Sequence, residues 1–370
     1  MARTRIAVLY ATVGTGHKTA ALALSDWIRT EYPQCQVVCL DVLAFGSPFV
    51  KAFIANSYLE MVKRAPRLWG YFYDSMDDPK ARDGVLNSIN DLTARINLRR
   101  LIRRLKTFDP QAMVFSHFFG AGPIAEEFLG RVPVYYLNTD FLSHVFHRNP
   151  LFRGWFVASR EAVLQYNSDG IYDRVWLTGI PVARSFTSPR PREEALRELG
   201  LQDRTTVLVM SGGIGVGPLE EAVEALSKRD SWQVLVVCGN NRSRFNSMSR
   251  AFADRRNVRV FGYVDPINPL YEAADAVVMK PGGLSSSEVL CMEKPMFLMD
   301  PIPGQEQRNS DYLLENGAAK AIFHVRAADL KVEEVLSDPQ ARASLISNCR
   351  RLKRPFAGRD VARILMENGD

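Results

Sequence analysis

The sequence predicts two doubly wound α/β domains in series, each a parallel sheet covered by helices. Three observations predict it. Short β-branched runs alternate with helical patterns along the chain, the signature of parallel strands joined by crossover helices. Several runs end in a glycine-rich turn that leads straight into a helix, the place where an open α/β sheet binds its ligands. The 370 residues, 46% of them hydrophobic, suffice for two cores at roughly 100–200 residues per domain.

Taken in order, the first-half strands are predicted at Ile6–Ala11, Gln36–Asp41, Ala112–Ser116, Val134–Leu137 and near Gly154–Ala158. Those of the second half fall at Thr206–Met210, Gln233–Cys238, Val258–Phe261, Ala276–Met279 and Met296–Met299. Helical patterns lie between them, among others at Lys18–Glu31, Leu92–Thr107, Glu193–Leu199 and Pro218–Lys228. Within the second of these, Leu98, Leu101, Ile102 and Leu105 form one stripe at helical spacing, so this face is expected to pack on the sheet with its arginines outward. The stretch 178–192 carries Pro181, Pro189 and Pro191 and few large apolar residues, and is read as a linker. The expected domains are therefore 1–177 and 193–356. A last helical pattern, Val361–Asn368, follows Pro355 and Gly358; the segment 357–370 is expected to pack back on the first domain.

Composition narrows the function. With 24% charged residues, 24 Gly and 20 Pro, disordered, collagen-like and coiled-coil chains are excluded. No run approaches the ~18 apolar residues of a membrane-spanning helix, and the amino terminus reads as a buried strand and not as a targeting segment. Cys35, Cys39, Cys238, Cys291 and Cys349 are odd in number and scattered, without C-x-x-C. This argues against a disulfide framework or a zinc site and for a reducing compartment. The net charge of +6 is confined to one place: residues 46–106 hold 12 basic and 6 acidic side chains. A local basic excess points to an anionic partner surface, phospholipid or nucleic acid, or to a merely solvated face.

Three loops carry chemistry. The first strand runs into Gly14-Thr15-Gly16-His17. Thr12 and His17 occupy the glycine positions of a phosphate loop, and Thr19 the third glycine of a dinucleotide fingerprint, so both motifs fail. What remains is a turn that places His17 at a strand–helix switch, where a histidine is either structural or functional. In the second half, Gly212, Gly213, Gly215 and Gly217 precede Pro218 and a helix, a loop whose backbone can cradle phosphate or be a plain tight turn. Lys280-Pro281-Gly282-Gly283-Leu284-Ser285-Ser286-Ser287-Glu288 repeats the arrangement. Serine hydroxyls and the helix end suit an anion, and Glu288 can accept sugar hydroxyls. Gln305, Glu306 and Asn309 follow another strand, and planar amide and carboxylate groups match the vicinal diols of a hexose.

Together these segments, with Thr139-Asp140-Phe141 followed by His144 and with Thr178-Gly179-Ile180-Pro181, resemble the processive diacylglycerol glucosyltransferases and monogalactosyldiacylglycerol synthases. The motifs occur in that family's order over essentially the whole chain. The resemblance implies an inverting enzyme of the GT-B fold, two Rossmann-like domains facing across a cleft, distantly related to the peptidoglycan lipid-intermediate glycosyltransferase. It implies that Gly212, Gly213, Gly215, Gly217, Gly283, Ser285, Ser286 and Ser287 hold a nucleotide sugar's diphosphate, and that Glu288 takes the ribose. It further implies that Tyr263 and Val264 line the uracil, and that Gln305, Glu306 and Asn309 take the sugar. His17 would be the general base, on a loop whose Gly14 and Gly16 face the acceptor, with Asp140 and His144 beside it. The sequence departs from the pattern at Thr15, where many members have glycine or asparagine. It departs again at Cys238-Gly239-Asn240-Asn241, which lacks the arginine many carry after Cys-Gly.

The implied reaction moves a hexose from UDP-glucose or UDP-galactose to diacylglycerol, or to diacylglycerol and then to the resulting glycolipid, giving a β-glycoside. Such a transfer needs a base at the acceptor hydroxyl and charge stabilisation on the departing diphosphate. No Asp-x-Asp occurs, so no tightly bound metal and no cofactor is expected, only the UDP-sugar co-substrate. The basic segment then reads as a membrane contact: Lys63, Arg64 and Arg67 stand beside Trp69, Tyr71 and Phe72, the mixture of cations and rings that lies on anionic lipid. The protein is expected on the cytoplasmic face of a membrane, peripherally, and no nucleic-acid motif appears. Two other classes stay open: a different sugar-nucleotide enzyme of this fold, such as a peptidoglycan-precursor transferase or an epimerase, and an inactive lipid-binding regulator.

Overall fold

The computed structural model describes residues 4–47, 70, 71, 75, 77, 98–210, 212 and 217–367. Among these, the chain divides into two compact units, one from residues within 1–184, 302–305 and 355–370, the other from 185–301 and 306–354.

The first unit holds six strands, β1 Arg5–Tyr10, β2 Gln36–Asp41, β3 Ala112–Phe115, β4 Val134–Leu137, β5 Gly154–Val157 and β6 Val175–Leu177. All pairings are parallel, in the order β2-β1-β3-β4-β5-β6. The second unit holds β7 Thr206–Met210, β8 Gln233–Val237, β9 Val258–Phe261, β10 Ala276–Met279, β11 Met296–Met299 and β12 Ala319–Ile322, again all parallel, in the order β12-β11-β10-β7-β8-β9. Both are doubly wound. Their direction of winding reverses between β1 and β3 and between β7 and β10, and those two switch points are where ligands bind in such sheets.

Strand alternation explains the layers. Ile6 and Val8 of β1 pack with Leu24 and Ile28 of the helix Gly16–Glu31 and with Val361 and Leu365 of the helix Ala357–Glu367. Ala7 and Leu9 point the other way, onto Leu98, Leu101, Leu105 and Phe128. Residues 98–108 are helical. The Leu98–Leu105 stripe lies on the sheet, while Arg99, Arg100, Arg103 and Arg104 are exposed. In the second unit, Val207, Val209, Val234 and Val236 pack with Leu219, Val223 and Leu226 of the helix Leu219–Ser227. Burial of both sheet faces is why these strands read as continuous apolar runs.

The strands that sequence reasoning missed, β6 and β12, are both sheet edges. β6 is three residues long and only partly buried, and β12 reads Ala-Lys-Ala-Ile, too weak a pattern to stand out. The proline-rich stretch is no free tether: Ile180, Val182 and Phe186 are buried, and Trp27 Nε1 donates to the Val182 carbonyl at 3.0 Å. Gly358 marks a close approach within the first unit, since a Cβ there would fall inside the Trp27 indole. Replacing a helical glycine by alanine ordinarily gains up to ~1 kcal/mol. Overpacking against a ring costs about 1–3 kcal/mol, so the clash wins. Gly358→Ala is therefore expected to lower the thermal transition measured by circular dichroism, and Gly358→Leu to lower it further.

Candidate functional site

In the first unit the candidate site lies at the carboxyl ends of β1, β3 and β4, around the switch point. Gly14 and Gly16 stand in the turn after β1, and His17 occupies the first turn of the helix Gly16–Glu31. The His17 Nδ1 lies 2.7 Å from the Ser116 carbonyl oxygen and 2.8 Å from Thr139 Oγ1. A carbonyl oxygen only accepts, so Nδ1 carries the proton and Nε2 keeps the lone pair. Ser116 Oγ also donates to the His17 carbonyl at 3.0 Å. The end of β3 thus grips both ring and backbone. Burial lowers the His17 pKa below its ordinary 6.5, opposed by the charge of Asp140 and by the Ser116 bond. At neutral pH the imidazole is a neutral acceptor with its basic nitrogen defined. Asp140, half-buried just beyond β4, is placed by its own N–H on Asn138 Oδ1 at 3.2 Å.

A wall of rings continues from there. His17 meets His117 edge-on with centroids 4.6 Å apart, His117 stacks on Phe118, Phe118 meets Phe146, and Phe146 meets His144. His144 therefore connects to His17 through three intervening rings. It is buried, its Nδ1 accepts from the Phe146 N–H at 3.3 Å, and its Nε2 is 3.8 Å from the Asp77 carboxylate. That is the geometry of a residue that shapes a turn. Burial also holds His117 and His147 well below the usual histidine range. Sequence reasoning passed over Ser116, His117 and Thr139 as site residues, although they follow β3 and β4 as His17 follows β1; the same strand-end argument finds them.

In the second unit the residues gather at the carboxyl ends of β7, β9, β10 and β11. The helix Gly283–Cys291 begins after Gly282, which offers no side-chain cap. Ser286 is fully buried in its first turn, with an Oγ that finds no hydrogen-bond partner among the described residues. Uncapped N–H groups and an orphaned hydroxyl together make a ready anion site. Ser287 Oγ instead bonds the Gly283 carbonyl at 2.9 Å, and Ser285 is half-buried. Glu288 accepts from the Tyr271 hydroxyl at 2.9 Å, and its pKa is raised to about 7 by burial, with the tyrosine bond working against the rise. Tyr263 is exposed beyond β9 and followed by half-buried Val264; its pKa is raised, first by the part of its ring that is buried and then by the charges of Asp265 and Glu288.

The buried Lys280 ammonium lies 3.2 Å from Asp300 Oδ2 and 3.8 Å from Glu306 Oε2, so it orients both carboxylates. Gly217, at φ +115°, lies against that pair: a Cβ there would sit 2.9 Å from Asp300 Oδ2. Only glycine fits, by conformation and by space. Asn309 is fully buried in the helix Gln305–Glu315, which Gln305 opens. Gly212 takes a positive φ of 69°. Of the remaining sequence candidates, Tyr71 is exposed. Gly213, Gly215, Lys63, Arg64, Arg67, Trp69 and Phe72 lie outside the described residues.

Two parallel sheets of this winding, one with a histidine at its strand ends and the other with an uncapped helix start at its strand ends, are the architecture of the GT-B fold. Solved structures agree on the fold. MurG from Acinetobacter baumannii superposes with a TM-score of 0.62 at 16% identity, covering 98% of this chain and 99% of its own. A UDP-N-acetylglucosamine 2-epimerase from Listeria monocytogenes, itself described as putative, gives 0.65 at 13% identity, covering 99% and 97%. Residues 17–182 match the monogalactosyldiacylglycerol synthase family, and residues 193–352 match glycosyl transferases group 1. Among curated proteins, the processive diacylglycerol beta-glucosyltransferase of Bacillus mycoides is 27% identical over 370 residues, 98% of this chain and 94% of the relative. The chain is thus similar to these diacylglycerol glycosyltransferases over nearly its whole length, its first half matching the one family and its second half the other.

Proposed function

We propose that the protein transfers a hexose from a UDP-sugar to diacylglycerol, with inversion to a β-glycoside. The observation that carries this reading is the family match of the unit that supplies the base; that match begins at His17 itself. His17 Nε2 takes the proton of the acceptor hydroxyl as the oxygen bonds to the anomeric carbon. The carbon–oxygen bond to the diphosphate breaks in the same displacement, and UDP leaves with the electron pair. Helix N–H groups and serine hydroxyls after β10 supply the charge stabilisation, and Glu288 holds the ribose. Glu306, oriented by Lys280, takes sugar hydroxyls with Gln305 and Asn309. Asp140 supports the imidazolium that forms on His17, and His144 supports the ring wall beside it. The test is incubation with diacylglycerol vesicles and labelled UDP-glucose or UDP-galactose, followed by product analysis. A β-hexosyl-diacylglycerol is expected. Conversion of the nucleotide sugar without a lipid product would favour an epimerase and overturn the reading.

The reaction takes place on a membrane surface, the cytoplasmic face in this proposal. No helix among the described residues is long and apolar enough to cross a bilayer, so the proposed contact is the cationic and aromatic segment 49–73. Each cation near an anionic surface contributes about 1 kcal/mol. Replacing Lys63, Arg64 and Arg67 together by glutamine is expected to cut flotation with anionic vesicles at low salt, while activity on a short-chain, water-soluble acceptor persists. Equal flotation of wild type and variant would remove these residues from the contact.

A further inference from the structure

We propose that Arg244 is a diphosphate ligand of the donor site, a role that rests on the UDP-sugar reading above. Arg244 stands in the first turn of the helix Arg242–Ala251, which follows β8, and its own N–H is held by the Asn241 side chain at 2.9 Å. The guanidinium reaches across to the end of the neighbouring strand's loop, where Nη2 donates to the Gly217 carbonyl. Its Nε is buried and has no hydrogen-bond partner among the described residues.

The charge is what makes this arrangement informative. Arg148, Arg192 and Arg229, all partly buried, each lie against a carboxylate, at 2.5 Å from Asp169, 2.5 Å from Asp203 and 3.5 Å from Asp329 respectively. Arg244 is equally half-buried, yet among the described residues its partner is a neutral carbonyl. Half-buried Arg204 likewise rests on a carbonyl, that of Asp230 at 2.8 Å, but it precedes β7 and so lies away from the strand ends that form the candidate site. A cation drawn out of water without a counter-charge is costly unless an anion completes it. A guanidinium presents a planar fork that suits phosphate oxygens.

Position selects the anion. The Gly217 carbonyl that Arg244 holds belongs to the residue lying on the Lys280–Asp300 pair, so Arg244 and the strand ends of β7, β10 and β11 meet at one backbone position. Lys280 is already paired with Asp300 and Glu306, whereas Arg244 still has donors to offer among the described residues.

Titration calorimetry with UDP and with uridine, on wild type, Arg244→Gln and Arg244→Lys, tests the inference. Arg244→Gln is expected to weaken UDP binding tenfold or more and to leave uridine binding unchanged; Arg244→Lys, which keeps the charge but not the fork, should fall between. An equal loss for UDP and uridine, with a lowered thermal transition, would make Arg244 a structural brace of Gly217 and overturn the proposal. Unchanged UDP binding in Arg244→Gln alongside weakened binding in Glu288→Ala would overturn it while the donor-site reading stands. Failure of wild type to bind UDP at all would overturn both.

Discussion

His17→Ala is expected to lower kcat by roughly 100-fold or more, the usual contribution of a positioned acid–base group, while UDP-sugar binding stays near wild type. Binding is spared because His17 belongs to the first unit, whereas the proposed diphosphate and ribose ligands Ser286 and Glu288 belong to the second. The pH profile gives an independent reading. The His17 pKa is depressed below 6.5 by burial, so the reactive form is the neutral one and predominates throughout the neutral range. As pH falls through the depressed value, protonation removes the Nε2 lone pair, and kcat/KM should fall by about tenfold per unit. Thr139→Val removes the hydroxyl beside Nδ1 but leaves the Ser116 carbonyl bond. It should shift that acid limb without abolishing turnover. A His17→Ala variant with nearly full turnover would assign the base to another group, Asp140 first.

What the sequence made legible follows from burial. Strands enclosed on both faces, β1 and β7 above all, are short apolar runs that end in glycine-bearing turns, and length and flanks together mark them as strands. Edge strands are half-solvated, and β6 and β12 carry no such signature. The glycine loops were legible because glycine, serine and proline at strand ends have few other uses. Their ionic supports were not. Lys280 appears in the sequence as part of a motif, but only the fold brings Asp300 and Glu306, from beyond a different strand, to its ammonium. Tyr271 and Arg244 are equally silent, since their partners Glu288 and Gly217 lie 17 and 27 residues away. His144 shows the opposite limit: a motif histidine whose ring is held by its own turn.

Glu288→Ala is expected to weaken UDP-glucose binding by about 1–3 kcal/mol, the loss typical of a hydrogen bond to a charged group. The carboxylate is set up for this: Oε2 is occupied by the Tyr271 hydroxyl, and the group is nearly buried in the helix after β10. If it takes the ribose, removing the partner hydroxyl should be equivalent to removing Glu288. 2′-Deoxy-UDP-glucose should therefore bind wild type weakly, and Glu288→Ala should no longer distinguish the two ligands. Burial raises the Glu288 pKa to about 7. Between its ordinary 4.5 and that value the folded protein holds a proton that the unfolded chain has lost, so this group's contribution to stability falls as pH rises through the window. Binding should move oppositely. Between pH 6 and 8 the carboxyl becomes a pure acceptor, and UDP-glucose, whose diphosphate has no proton to lose near neutrality, should bind more tightly as pH rises through about 7. Glu288→Gln keeps the shape, lacks the titration and should give a flat profile. A wild-type profile as flat as the glutamine variant's, with no loss in Glu288→Ala, would place the ribose elsewhere and leave Glu288 as a buried partner of Tyr271.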